Sequence, residues 1–242
     1  VYLVAPTGFT VGLAVWTGEA LKVVKAWRPQ KPHSPPREAS WRTAVEANEE
    51  ALRRAELRAR AFIAKVARRF DKPRLVSFSG GKDSLACLLL YLKELGDALL
   101  LFNDTGLELP ETVEHVEDVA SKLGLELKQA SAGDAFWRSL PSFGPPARDY
   151  RWCCKVCKLV PIAKLLREEL REGSLTFLGQ RRLESFARAR SPSVAVSRWV
   201  KGSVTASPIN DWSALHVWLY LMREGAEANP LYAKGFDRVG CW

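Results

Sequence analysis

The stretch Leu75-Val76-Ser77-Phe78-Ser79-Gly80-Gly81-Lys82-Asp83-Ser84 decides the fold of most of this chain. An apolar run meets two glycines, then Lys-Asp-Ser, then the helical spacing Leu85, Leu88, Leu89, Leu92. The pattern predicts a strand, a tight turn and a helix, in that order. Glycines let backbone N–H groups approach an anion closely. A helix N-terminus adds orphan donors and the positive end of a dipole. Lys82 adds charge, Ser79 and Ser84 add hydroxyls, and Ser77 stands at the strand end. The reading is a phosphate cradle. A Walker A loop would need glycine in place of Val76 and Ser or Thr in place of Asp83. A plain Gly-Gly turn capped by Asp83 or Ser84 is the alternative, and the agreement of strand, glycines, lysine and helix weighs against it.

Working outward, strands and helices alternate. Strands are expected at Arg74–Phe78, Ala98–Phe102, Leu125–Ala130, Ser174–Leu178, Val194–Val200 and Val204–Ser207. Helices are expected at Asp83–Leu95 (stopped by Gly96), Pro110–Leu123 (stopped by Gly124), Leu159–Leu170 and Trp212–Arg223. This alternation predicts an α/β fold, a doubly wound and mostly parallel sheet, with ligands at the carboxyl ends of the strands. Upstream, residues 41–70 read as one long helix with Leu52, Ala55, Ala59, Ile63 and Val66 on one face, and i,i+4 pairs Glu49–Arg53 and Glu50–Arg54. Residues 1–29 read as short strands, Val1–Ala5, Phe9–Trp16 and Ala20–Trp27, and residues 28–40, with four prolines, as a linker. The expected organisation is a small β appendage and linker over 1–40, followed by a nucleotide-binding unit over 41–242 whose core motifs begin at 73. The appendage reads as an RNA-binding module or as a packing add-on.

Composition bounds the rest. The chain has 242 residues, 47% hydrophobic and 26% charged, with net charge +9. A basic balance suits polyanionic partners such as nucleotides or RNA. No apolar run reaches transmembrane length, which argues against a membrane partner. Five cysteines, three of them at Cys153, Cys154 and Cys157, suit a reducing, cytoplasmic setting with a metal or redox site rather than a disulfide framework. The scarcity of Asn, Gln and Met resembles thermophile proteins. The chain starts at a valine and ends at Cys241-Trp242, so a longer parent protein, cut at the C-terminus, is expected.

Three further constellations carry chemistry. Asn103-Asp104-Thr105-Gly106 follows the second strand of the alternating region, and Asp104 could hold a ribose hydroxyl or Mg²⁺. Its bland alternative is a simple turn. Arg151-Trp152-Cys153-Cys154-Lys155-Val156-Cys157-Lys158 precedes a helix, and with Cys241 offers four thiolates, enough for zinc or an iron–sulfur cluster. Reduced thiols without a metal are the alternative. Gly179-Gln180-Arg181-Arg182-Leu183-Glu184-Ser185-Phe186-Ala187-Arg188 follows a strand, so its arginines can fork onto phosphate or sulfate oxygens, with Glu184 orienting one of them. His33, His115 and His216 are scattered and read as structural.

Taken in series, these segments resemble the phosphoadenylyl-sulfate (PAPS) reductase family within the N-type ATP pyrophosphatases. The resemblance rests on the 79–84 loop, Asp104-Thr105-Gly106 with Pro110-Glu111-Thr112, Arg151-Trp152-Cys153-Cys154 with Lys158, and Gly179, Arg181, Glu184, Ser185 and Arg188. It continues through Pro208-Ile209, Trp212, Asn229-Pro230-Leu231-Tyr232 and Gly235–Cys241, covering about residues 73–242. It implies an adenine nucleotide alpha hydrolase-like fold and an enzyme that binds PAPS, APS or ATP. The nucleotide-binding residues would be Ser77, Ser79, Gly80, Gly81, Lys82, Asp83, Ser84, Asp104, Thr105, Gly106, Arg151, Lys158, Gly179, Arg181, Glu184 and Ser185, with Lys82, Asp83, Arg181 and Arg188 serving the reaction. A [4Fe-4S] cluster or zinc would sit on Cys153, Cys154, Cys157 and Cys241, and Mg²⁺ could accompany the nucleotide. The implied partners are a thiol reductant such as thioredoxin or, for an adenylating relative, tRNA; self-association is left open. Two departures stand out. Nothing here matches the Glu-Cys-Gly segment that carries the reductases' nucleophile, and of the downstream Cys-x-x-Cys only Cys241 is present.

Overall fold

The computed structural model describes residues 2–4, 10–26, 40–147 and 149–240. Most of the expected linker, the strand ends at Val1, Ala5, Phe9 and Trp27, and Cys241 lie outside those residues. Two units separate, 1–40 and 41–242. In the first, β1 (Tyr2–Val4), β2 (Thr10–Trp16) and β3 (Leu21–Ala26) form an antiparallel sheet in that order. Trp16 pairs with Leu21 across the turn that joins β2 to β3. The Thr17 amide donates to the Ala20 carbonyl at 3.0 Å and closes that turn.

The second unit is built on β4 (Arg74–Ser77), β5 (Leu99–Asp104), β6 (Leu127–Ser131), β7 (Leu175–Leu178), β8 (Val194–Val196) and β9 (Val204–Ala206). They form one sheet in the order β6-β5-β4-β7-β9-β8. All neighbours run parallel except β8, which pairs antiparallel to β9. The chain winds outward from β4 through β5 and β6, then crosses to β7 and β9 on the other side. β4 and β7 therefore flank the switch point of the topology, where an open α/β sheet leaves a crevice.

Helices cover both faces. The first two are α1 (Trp41–Ala47) and α2 (Glu49–Arg69), followed by α3 (Lys82–Leu95) and α4 (Pro110–Lys122). Then come α5 (Ala135–Phe143), α6 (Val160–Glu169), the single turn α7 (Phe186–Ala189) and α8 (Ala214–Arg223). Val76 and Phe78 point into a core shared with Ile63, Leu88, Phe177 and Tyr220, while Leu75 points the other way, to Leu101, Ala163 and Leu166. Alternation along a strand buried on both faces produces this pair of cores.

Several local readings need correction. The expected helix 41–70 breaks at Asn48, whose side-chain amide donates to the Ala44 carbonyl at 2.8 Å. Glu50 pairs with Arg54 as expected, but Glu49 reaches Arg223 of α8 at 3.6 Å instead of Arg53. The helix α5 has no counterpart among the expected helices, because Pro141 lies inside it and none of its residues is buried. The expected strand 194–200 stops at Val196, since the Ser197 hydroxyl accepts from the Trp199 and Val200 amides and turns the chain. The cysteine segment is itself helical: Cys154–Leu159 is a π-helical stretch running straight into α6.

Candidate functional site

The β4–α3 turn is built from its glycines. Gly80 has φ +73°, and a Cβ there would come within 3.0 Å of Val116 and 3.1 Å of Thr112 in α4. Gly81 is the N-cap of α3. The Ser84 hydroxyl donates to the Gly81 carbonyl at 2.8 Å and accepts from the Ser79 amide at 3.2 Å. The two serine oxygens are 3.2 Å apart. The turn is therefore self-supporting, held by its own serines.

Charge is concentrated at this point. Lys82, the first residue of α3, is only 8% exposed. Its Nζ lies 3.3 Å from Asp83 Oδ2. Arg181, 5% exposed, grips the same carboxylate with two nitrogens, Nε to Oδ1 at 2.8 Å and a terminal nitrogen to Oδ2 at 3.2 Å. Asp83 thus positions both cations, one from each strand end at the switch point. Gly179, just after β7, has no room for a side chain: a Cβ would sit 2.4 Å from the Asp83 carbonyl oxygen. Its place is close packing of β7 against α3, which lets Arg181 reach Asp83.

The next layer comes from the chain after β7 and from the C-terminal segment. Glu184 pairs with Arg188, four residues on, and with Arg238 at 3.4 Å. Ser185 caps α7, accepting from the Arg188 amide at 3.3 Å. The Tyr232 hydroxyl accepts from the Lys82 amide at 3.0 Å, and Lys82 Nζ lies 5.7 Å from that ring's centroid. Burial raises the Tyr232 pKa above its ordinary value, against the opposing pull of the Lys82 N–H, so the phenol stays protonated. Asn229 fixes this segment: its Oδ1 accepts from the Leu231 amide at 3.0 Å, and its Nδ2 donates to Thr112 at 3.4 Å. Tyr232 and Arg238 stand in segments that sequence reading singled out without assigning them to the site. Tyr232, in Asn-Pro-Leu-Tyr, carried enough signal to be included.

The remaining candidates belong to neighbouring elements, and β5 runs parallel beside β4. Asp104 ends β5, and its carboxylate is engaged by the Gly106 amide at 2.8 Å, Ser131 Oγ at 3.0 Å and Gln129 Nε2 at 3.1 Å. Thr105 is buried and bonds Glu108 through both its amide and its hydroxyl. These contacts make the Asp104–Gly106 turn a clamp between β5 and β6. Arg151 is exposed just before the π-helical stretch, and Lys158 is half-buried within it. Cys241, the fourth of the expected thiolates, lies outside the described residues. Among the described residues no group of three or more His, Cys, Asp or Glu side chains could hold a metal ion. Cys153 and Cys154 are sequence neighbours on a helical path, where adjacent side chains diverge, and Cys157 is buried with its carbonyl accepting from Asn103 Nδ2 at 3.1 Å.

The phosphoadenosine phosphosulfate reductase domain model matches residues 73–242. The chain belongs to that family. An uncharacterised protein of Methanocaldococcus jannaschii is 46% identical over 199 residues, 82% of this chain and 41% of that protein. The chain spans a similar 40% of a second relative from the same organism. Adenosine 5'-phosphosulfate reductase 1 of Bacillus subtilis is 29% identical over 175 residues, 67% of this chain and 69% of that enzyme. Among solved structures, the phosphate complex of PAPS reductase from Candida auris aligns with TM-score 0.58 at 18% identity, covering 85% of this chain and 97% of that one. FMN adenylyltransferase of Candida glabrata, in complex with FAD and pyrophosphate, aligns with TM-score 0.64 at 16% identity, over 85% of this chain and 66% of that one. The U34-tRNA thiolase of Methanococcus maripaludis with its [4Fe-4S] cluster aligns with TM-score 0.54 at 13% identity, over 73% and 64% of the two chains. At these identities the structures share the reductase-family fold with this chain.

Proposed function

We propose that the 41–242 unit is an adenine-nucleotide enzyme that grips the sulfate or phosphate end of PAPS, APS or ATP in the 79–84 turn and acts there. One observation carries this reading: Lys82 and Arg181, both buried, converge on Asp83 at the helix N-terminus beside the β4–β7 switch point. Counting the second layer, four cations (Lys82, Arg181, Arg188, Arg238) face two carboxylates (Asp83, Glu184), so the cluster keeps excess positive charge for an anion. Catalysis at such a site is positioning plus stabilisation of charge developing on the transferred group's oxygens. Lys82 and Arg181 supply that charge, Asp83 fixes their geometry, and Arg188 closes from α7. The solved neighbours include enzyme complexes named for ATP and for pyrophosphate, which supports a phosphate-centred reading of the same fold.

Calorimetric titration with ATP, APS and PAPS tests the reading, which fails if none of the three binds. The alternative chemistry is adenylation of a substrate such as tRNA, and two assays divide the branches. Sulfite release from PAPS or APS with a dithiol or thioredoxin marks sulfate reduction. Exchange of labelled pyrophosphate into ATP, stimulated by tRNA, marks adenylation. A nucleotide that binds without turnover in either assay identifies a binding module instead. No step is assigned to a metal or cluster; the visible spectrum of anaerobically purified protein decides whether the Cys153–Cys157 segment and Cys241 carry one.

A further inference from the structure

Hydrogen-bond accounting at the cradle leaves one donor over. The single Ser84 proton goes to the Gly81 carbonyl, so in the Ser79–Ser84 pair it is Ser79 that donates. Both serine protons are thereby used inside the turn. Lys82 Nζ and the Arg181 guanidinium are turned onto Asp83. The Lys82 amide, a first-turn donor of α3, points at Tyr232 Oη. That oxygen accepts, and its own proton has no acceptor among the described residues. A hydroxyl that already accepts a hydrogen bond is polarised into a better donor. The ring is held in place: it meets Trp218 edge-on with centroids 5.0 Å apart, and its 3-10 turn, Pro230–Tyr232, is capped by the buried Asn229. A Cβ on Gly81 would lie 3.5 Å from Tyr232 Oη, which places the phenol against the backbone of the anion turn.

We propose that Tyr232 is a specificity residue of this site, relaying the α3 N-terminus to the ligand: its oxygen takes the Lys82 N–H, and its proton is given to an oxygen of the nucleotide's phosphate or sulfate group. This rests on the nucleotide-binding reading above. It extends the site to the C-terminal segment and predicts that the phenol discriminates for the anionic end and is indifferent to the nucleoside.

The test is the ratio of ATP to adenosine affinity, measured by calorimetry on the full chain and on Tyr232→Phe, which keeps the ring and removes the hydroxyl. A hydrogen bond to a charged group sets the expected loss at about tenfold or more in ATP affinity, with adenosine affinity unchanged. A merely structural cap would lower the melting temperature and leave the ratio as it was, and that result overturns the proposal. If wild type binds neither ligand, the nucleotide reading falls and this one with it; if wild type binds ATP and the Tyr232→Phe ratio is unchanged, only the Tyr232 role falls. Should Tyr232→Phe not fold, 3-fluorotyrosine at position 232, a stronger donor of nearly the same shape, replaces it at mildly acidic pH. Tighter ATP binding supports the relay and unchanged binding overturns it.

Discussion

Arg181 holds Asp83 with two nitrogens while both are largely out of solvent, so its removal strands a carboxylate. Breaking a buried pair costs about 3–5 kcal/mol, and the remaining Lys82 contact puts Arg181→Ala at the lower end. The urea midpoint of the variant should fall accordingly, and its nucleotide affinity should fall by more than tenfold. Arg181→Lys should recover little of either, because a single ammonium cannot reproduce the two-pronged grip. At Gly179 the expectation is steric. A Cβ 2.4 Å from the Asp83 carbonyl oxygen must push β7 and α3 apart, so Gly179→Ala should cost about 1–3 kcal/mol or more by the same denaturation assay. The charged and glycine residues of the turn were legible in the sequence because their types are unusual together. The role of Gly179 as a packing point was not, since only the approach of two backbones distant in sequence reveals it.

At the scale of elements, α2, α3 and α8 are joined by a charged cluster. Glu56 of α2 accepts from Lys93 of α3 at 3.0 Å and pairs with Arg223 of α8, which in turn meets Glu224 at 3.0 Å. Burial alone would raise the Glu56 pKa, but the hydrogen bonds from Lys93 and Arg223 outweigh it and hold the carboxyl below its ordinary value. A depressed folded-state pKa gives stability that is present above the unfolded value and is lost as pH falls through the folded one. Stability should therefore decline on acidification below the ordinary glutamate range, and Glu56→Gln should flatten that decline in a pH series of urea melts. Sequence periodicity located α2 and α3 but not this cluster, whose partners lie 37 and 167 residues apart. The miss at α5 has a different cause. Proline inside a short run reads as a breaker, yet Ala135–Phe143 stays helical, its aromatic rings meeting Trp152: Phe136 stacks on it at 5.3 Å and Phe143 lies 5.3 Å away.

At the scale of the whole chain, the alternation of strands and helices dictated the parallel sheet, and the strand order added what no pattern could: the crossing from β6 back to β7 that makes the switch point. Among the described residues, the whole cation cluster and both buried cores lie within 41–242. A chain lacking residues 1–40 should accordingly bind ATP as tightly as the whole one, measured by the same calorimetry. The net charge of +9 gives the nucleotide a favourable approach, so affinity should weaken as salt is raised through the Debye screening range. The contacts at Gly80 and Gly179 carry one more consequence. The turn is pressed against α4 on one side and β7 is pressed against α3 on the other, each too close for a methyl group without displacement. These walls are stiff, and neither can swing aside without unpacking the sheet. The turn therefore has its shape before any ligand arrives, so an anion would meet a preformed cradle and the ordering cost of binding would be small.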